Sequence, residues 1–188
     1  MAITSSVSTD LVHLASSRGA SYADARTVER EHEAVSVKDG AVESVTRTSD
    51  RGLGLRVIHK GAWGFAATDR TDEASLRALI DEAFRRADAS ASVQRRSVKL
   101  APIAPQRGEY RTSLKRDPFT VPLAERIDHL LAVDANSLGP NVKTRRSAVA
   151  AYRTRKRLVT SEGTDVSQEI VETGAGLSVL AVKAGRKR

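Results

Sequence analysis

The spacing of apolar positions changes several times along the chain, and each change predicts an element. Val7, Leu11, Leu14 and Ala15 recur at the spacing of one helical face. Ser5, Ser6 and Thr9 supply start signals and Gly19 a stop, so a short amphipathic helix is expected there. From Ala23 the period becomes two. An alternating stretch, Ala25 to Glu31, is followed by Val35 and Val37, which lead into Asp39-Gly40, the strongest two-residue hairpin signal. Val42 and Val45 continue beyond it, Leu53, Leu55 and Val57 alternate again, Lys60-Gly61 makes a second turn, and Trp63, Phe65 and Ala67 return. This predicts a meander of about four antiparallel strands with one apolar and one polar face.

Asp72 to Ala89 is the clearest helix: Leu76, Leu79, Ile80, Ala83 and Ala87 form one stripe, with Asp72 and Glu73 at its start and Arg85 and Arg86 near its end. Residues 90–121, with Ser90, Ser92, Pro102, Pro105 and Pro118, are expected to form a loop-rich connection. Pro122 stands at a first helical position, and Leu123, Ile127, Leu130 and Leu131 form a third stripe that Gly139-Pro140 ends. Strand-like pieces follow at Ser147 to Tyr152, Leu158 to Ser161, Val166 to Val171 and Leu177 to Val182, two of them joined by the turn Ser161-Glu162-Gly163-Thr164. The expected fold class is α+β: a two-layer sandwich of an antiparallel sheet and amphipathic helices, followed by part of a second β-rich domain. The expected domains are 1–117, which includes the extended connector, and 118–188.

Composition adds bounds. The 188 residues are 40% apolar and 29% charged, a folded balance, with only 4% aromatic residues, so the core must be built from Val, Leu, Ile and Ala. There is no cysteine, which removes disulfides and thiolate ligands. No apolar run reaches the ~18–20 residues of a membrane helix, and Met1 to Thr9 lacks the features of a secretory signal; a cytoplasmic location without membrane contact is expected. The net charge of +8 raises the question of a nucleic-acid surface. Its arginines, however, are interleaved with Asp and Glu and lack alternating aromatics, which reads as a solvated surface with no specific nucleic-acid partner.

Candidate chemistry is sparse. His32-Glu33 is the one metal-like dipeptide, but a zincin helix would need a second histidine where Ser36 stands, and the segment reads as a strand; both residues are expected to be surface polar groups. His13, His59 and His129 share no ligand spacing: His59 reads as a turn residue and His129 as the polar side of the third helix. Gly52-x-Gly54 lacks the third glycine of a dinucleotide loop, Val57 standing in its place, and opens a strand, so a bulge or close packing is expected. Glu31/Glu33 and Asp81/Glu82 read as exposed charge, and no Gly-x-Ser-x-Gly occurs. No catalytic, cofactor-binding or metal-ligating residue is assigned.

The order of otherwise ordinary motifs carries more. Arg51-Gly52-Leu53-Gly54-Leu55-Arg56-Val57, then Gly61-Ala62-Trp63-Gly64-Phe65-Ala66, resembles the N-terminal domain of TldD/PmbA proteins. Val98-Lys99-Leu100-Ala101-Pro102 and Asp117-Pro118-Phe119 resemble its connector segments. Ser161-Glu162-Gly163-Thr164, Gln168-Glu169 and Thr173-Gly174-Ala175-Gly176 resemble the start of its central domain. The resemblance implies a zinc metallopeptidase that acts on peptide substrates, in which a TldD subunit pairs with a related, non-catalytic PmbA (TldE) subunit; the family also bears the label of a modulator of DNA gyrase. Gly-Ala-Trp-Gly-Phe-Ala is closer to the TldD side. The family's zinc motif, His-Glu-x-x-x-His, in which zinc activates water and Glu is the base, has no counterpart in this sequence. The expectation is therefore a truncated, non-catalytic N-terminal portion, inactive alone. The alternatives are a stand-alone peptide- or partner-binding domain, or a basic nucleic-acid-binding protein.

Overall fold

In the computed structural model, which describes residues 5–183 and 186–187, the first helix, α1 (Ser5–Ser17), buries Leu11, Val12 and Ala15. Strand β1 (Tyr22–Lys38) then runs into β2 (Ala41–His59) and β3 (Ala62–Thr68). The meander has three strands rather than the expected four. Nothing between Glu31 and Val35 breaks the chain, because the polar residues there are held in place: Glu33 takes Arg126 at 2.6 Å and Arg47 at 3.2 Å. Val42 to Val57 likewise forms one continuous strand through an exposed stretch.

Both hairpin turns are where the sequence puts them. Asp39 and Gly40 have φ of 50° and 83°, and Lys60 and Gly61 have 50° and 76°, the left-handed pair that matches strand twist. The Asp39 carboxylate also accepts from the Arg145 backbone N–H at 2.8 Å, and the Asp39 N–H donates to the Arg145 carbonyl at 3.1 Å.

Helix α2 (Glu73–Val93) is capped by Asp72, whose carboxylate accepts from the Ser75 N–H at 3.0 Å. It extends past Ala89 because Ser90 to Val93 contains no glycine or proline. Its buried side chains Leu79, Ile80, Ala83, Phe84 and Ala87 lie on the face of β2–β3 that carries Leu55, Val57 and Ala66. Gly64 makes this approach possible: a Cβ there would come within 1.9 Å of the Ala83 carbonyl oxygen.

The connector is less featureless than expected. Strand β4 (Arg107–Arg111) lies within it, fully exposed and without apolar alternation. A 3-10 turn, Pro118–Thr120, follows, then α3 (Leu123–Asn136), with Pro122 as its N-cap residue rather than its first helical one. Strands β5 (Val142–Thr160) and β6 (Asp165–Lys183) each unite two expected pieces. In β5 the charged run Arg153 to Arg157 stays extended because carboxylates meet it: Asp117 and Glu31 for Arg153, Glu169 for Arg155 and Asp165 for Arg157. The turn between β5 and β6 uses Gly163 at φ 93°. A two-residue strand, β7 (Arg186–Lys187), pairs with the end of β6.

The sheet order is β3-β2-β1-β5-β6-β4, so the α+β class holds, with one departure from an antiparallel sheet: β4 pairs parallel to β6, from Arg107 opposite Asp165 to Arg111 opposite Glu169. Two compact units divide the chain, and neither is contiguous. One comprises the described residues up to Glu29, Asp50–Arg111 and Thr154–Glu169; the other comprises Arg30–Ser49, Thr112–Arg153 and the described residues from Ile170. The first holds the larger core, including Leu11, Leu53, Leu55, Val57, Ile80 and Phe84. The second is built on Val35, Val37 and Leu130, with Ile127, Leu131 and Val149 against them.

Candidate functional site

In the second unit, α3 is fastened by charge as much as by apolar contact. Arg126 in its first turn reaches Glu33 at 2.6 Å, with side chains only 14% and 10% exposed. Asp134 near its end is fully buried and receives Arg145 at 2.9 Å. The Ser147 hydroxyl donates to the Leu130 carbonyl at 3.2 Å, and Arg116 binds Glu125 through both carboxylate oxygens. Beside this helix lies an open groove of about 560 Å³, floored by Leu130, Val133 and Val149 and closed on the β6 side by Ala175, Gly176 and Leu177. Its wall is mainly apolar and its rim polar, with His129 and the Arg116–Glu125 pair. That combination accepts an apolar side chain and offers no nucleophile–base pair.

A recess of about 570 Å³ in the first unit is instead lined by hydroxyls: Thr9, Thr160, Ser161 and Thr164, with His13 and Arg107. Three of these hydroxyl oxygens already hold the β5–β6 turn and its surroundings. Ser161 accepts from the Ala23 N–H at 3.0 Å, Thr160 from the Thr164 N–H at 3.2 Å, and Thr164 from the Gln106 N–H at 3.1 Å. Arg157 grips Asp165 at 2.7–2.8 Å, and this guanidinium holds the carboxyl below the usual carboxylate range. The recess is built for turn geometry.

On the opposite sheet face of that unit, Asp24 is fully buried and receives Arg56 at 2.6 Å and Arg26 at 3.3 Å. Burial first, and the Asp24 charge second, push the Tyr22 phenol up to about 12.

The residues weighed in the sequence find different places. Glu33 is 8% exposed and doubly paired, not a surface charge, and the His32 ring stacks on Tyr152 at 4.3 Å with its Nε2 buried. Glu31 also sits within 3.6 Å of Arg153. These corrections share one cause: their partners lie far along the chain, 93 residues in the case of Arg126. His59 ends β2 rather than occupying the turn; its Nδ1–H donates to the Gly19 carbonyl at 3.1 Å and its ring tilts against Phe84. His13 and His129 are exposed on α1 and α3. Gly54 gives the close packing expected of it, against the Phe65 ring, whereas Gly52 has open space and forms no such contact.

Among the described residues no three His, Cys, Asp or Glu side chains come together to hold a metal. The donors do not fit a zinc site: His32 is stacked, His59 is committed to Gly19, and Asp24, Glu33, Asp117, Asp134 and Asp165 are each taken by an arginine. Nor is any helix among them long and apolar enough to cross a membrane.

Residues 23–87 match the family model described as PmbA/TldA metallopeptidase domain 1, and residues 116–188 match that of the PmbA/TldA metallopeptidase central domain. The chain belongs to the PmbA/TldD metallopeptidase family. A PmbA/TldD relative, a metalloprotease of Methanocaldococcus jannaschii, is 23% identical over 164 residues, 87% of this chain but 36% of that one. A metalloprotease of Methanothermobacter thermautotrophicus is 30% identical over 167 residues, 86% of this chain and 34% of the other. The chain thus spans about a third of the length of these relatives. The PmbA/TldD fold is also seen in a solved Thermotoga maritima protein described as a candidate modulator of a DNA gyrase, with a TM-score of 0.75 at 14% identity, covering 97% of this chain and 41% of that one. TldE of Thermococcus kodakarensis gives 0.73 at 15%, covering 96% and 40%.

Proposed function

We propose that this chain is the non-catalytic N-terminal portion of a PmbA/TldD-type zinc metallopeptidase, contributing scaffold and partner-binding surface to peptide processing, and inactive alone. The observation that carries the reading is the match to domain 1 and the central domain, together with the chain's span of about a third of the metalloprotease relatives. The engaged state of its buried carboxylates supports it: they hold strands and helices together and leave no base beside an open coordination position. In this reading the chain pairs with a related PmbA/TldD-type subunit, and zinc and the attacking water come from residues outside it.

Elemental analysis after dialysis, with a peptidase assay on unfolded peptides, tests the proposal. The expected result is no stoichiometric zinc and no cleavage by the isolated chain. One zinc per chain with chelator-sensitive cleavage would overturn it.

A further inference from the structure

The segment that resembles the family, Arg51 to Val57 followed by Gly61 to Ala66, divides cleanly by sheet face. Across the β2–β3 pairing, Leu55 faces Ala66 and Val57 faces Gly64 on the side that α2 covers. On the other side Arg56 stands opposite Phe65 and Ile58 opposite Trp63. Tyr22, Asp24 and Arg26 of β1 continue this second face, being alternate to the buried Ala23 and Ala25. The core accounts for the first set. It does not account for the second, in which Asp24 and Ile58 are buried while Tyr22, Arg26, Arg56, Trp63 and Phe65 remain partly or largely open.

That second face is ordered. The Phe65 ring lies over Gly54, where a Cβ would stand 3.0 Å from it, so the glycine makes room for a flat ring. Tyr22 meets Trp63 edge to face, with centroids 5.7 Å apart at 85°, and the Arg56 guanidinium sits 5.0 Å from the Trp63 centroid. Three of the chain's seven aromatic residues (one Trp, three Tyr, three Phe) are thus gathered on one side of one unit. Phe65 is 49% exposed, and the Arg26 and Arg56 side chains are 55% and 38% exposed. An exposed Phe65 and Arg26 beside half-buried Trp63, Tyr22 and Arg56, all held in fixed positions, are the composition of an interface centre rather than of an ordinary solvated surface.

Charge identifies the occupant. Two guanidiniums share the single carboxylate of Asp24, which is buried, so each keeps N–H donors for a carboxylate arriving from outside. One face of the indole is covered by Arg56 and Tyr22 meets the ring at right angles, an arrangement that suits an aliphatic side chain better than a stacked base. We propose that the face formed by Tyr22, Arg26, Arg56, Trp63 and Phe65 docks an acidic polypeptide segment. Its aliphatic side chain lies on Phe65 and Trp63, and its carboxylate bridges Arg26 and Arg56.

Trp63 is the one tryptophan of the chain, so its fluorescence reads the face directly. The probe is an end-blocked octapeptide of alternating Glu and Leu, with its Lys-Leu counterpart as control. The expected result is a saturable change in Trp63 emission with the acidic peptide only. Phe65→Ala and Arg26→Ala, both at exposed side chains, should each weaken it by at least about fivefold while thermal unfolding stays unchanged. Absence of a saturable change overturns the proposal, as does a change that neither substitution affects. Displacement of the peptide by oligo(dT) would assign the face to nucleic acid instead. Self-association abolished by Phe65→Ala would assign it to a second copy.

Discussion

Gly64 shows how much one absent methyl group decides. The space a Cβ would need is filled by the Ala83 carbonyl, at 1.9 Å, and by the Ala87 backbone nitrogen at 2.7 Å, neither of which can turn aside as a side chain can. Gly64→Ala must therefore lift α2 from the sheet, and a loss of about 3 kcal/mol or more is expected in a denaturant titration. Gly54→Ala meets only the edge of the Phe65 ring at 3.0 Å and should cost less, about 1 kcal/mol. Tyr22 offers a second check at this scale. Its native phenol ionises near 12, above the ordinary 10.0, so the stability it contributes is fully present below about pH 10 and lost as pH rises through 12. Ultraviolet phenolate titration should show a late component that Tyr22→Phe removes. Neither property was legible in the sequence. Gly64 was visible as part of a motif, but its reason lies in a helix about twenty residues later, and the Tyr22 shift needs a carboxylate whose burial no local pattern announces.

Elements were legible where the signal is local. The two-residue turns at Asp39-Gly40 and Lys60-Gly61 and the stripe of α2 appear as read, because each depends on neighbours within a few residues, whereas Asp72, read as a first-turn residue, caps the helix from outside it. Strand lengths were not legible, since charged stretches in β1 and β5 remain extended only through arginine–carboxylate pairs formed at long range. Nor was β4, whose Arg-Gly-Glu-Tyr-Arg has no alternation and is defined by its partner β6. The same pairs make a sharp prediction for α3. Glu33→Ala leaves the Arg126 guanidinium, 14% exposed, with the Val121 carbonyl but no counter-charge, and should cost roughly 3 kcal/mol. Replacing both by Leu and Met should cost far less, or even stabilise, because no buried charge is then left unpaired and Arg47, which also loses Glu33, is 80% exposed. Equal losses in the single and double variants, measured by urea unfolding, would show that the pair holds α3 through shape rather than charge.

Among the described residues, the two units differ in how much apolar surface they hide: one core cluster has fifteen buried residues, the other three. Hydrogen exchange should accordingly protect Leu53 to Ala66 and Leu79 to Ala87 longer than Arg30 to Ser49 and Ile170 to Lys183. The boundary should fall within β1, after Glu29, and within β2, before Asp50, with no loop to mark it. Uniform protection along β1 and β2 would mean that the units open together. The interleaving also sets a timetable for biosynthesis. The larger core needs Val159, but Thr154 emerges from the ribosome 43 residues after Arg111. At roughly 5–20 residues per second, the part of this unit that ends at Arg111 waits about 2–9 s before its remaining strands begin to emerge. During that interval the edge of β1 that β5 will occupy is open, and a nascent chain in this state is a natural client for a chaperone that shields strand edges.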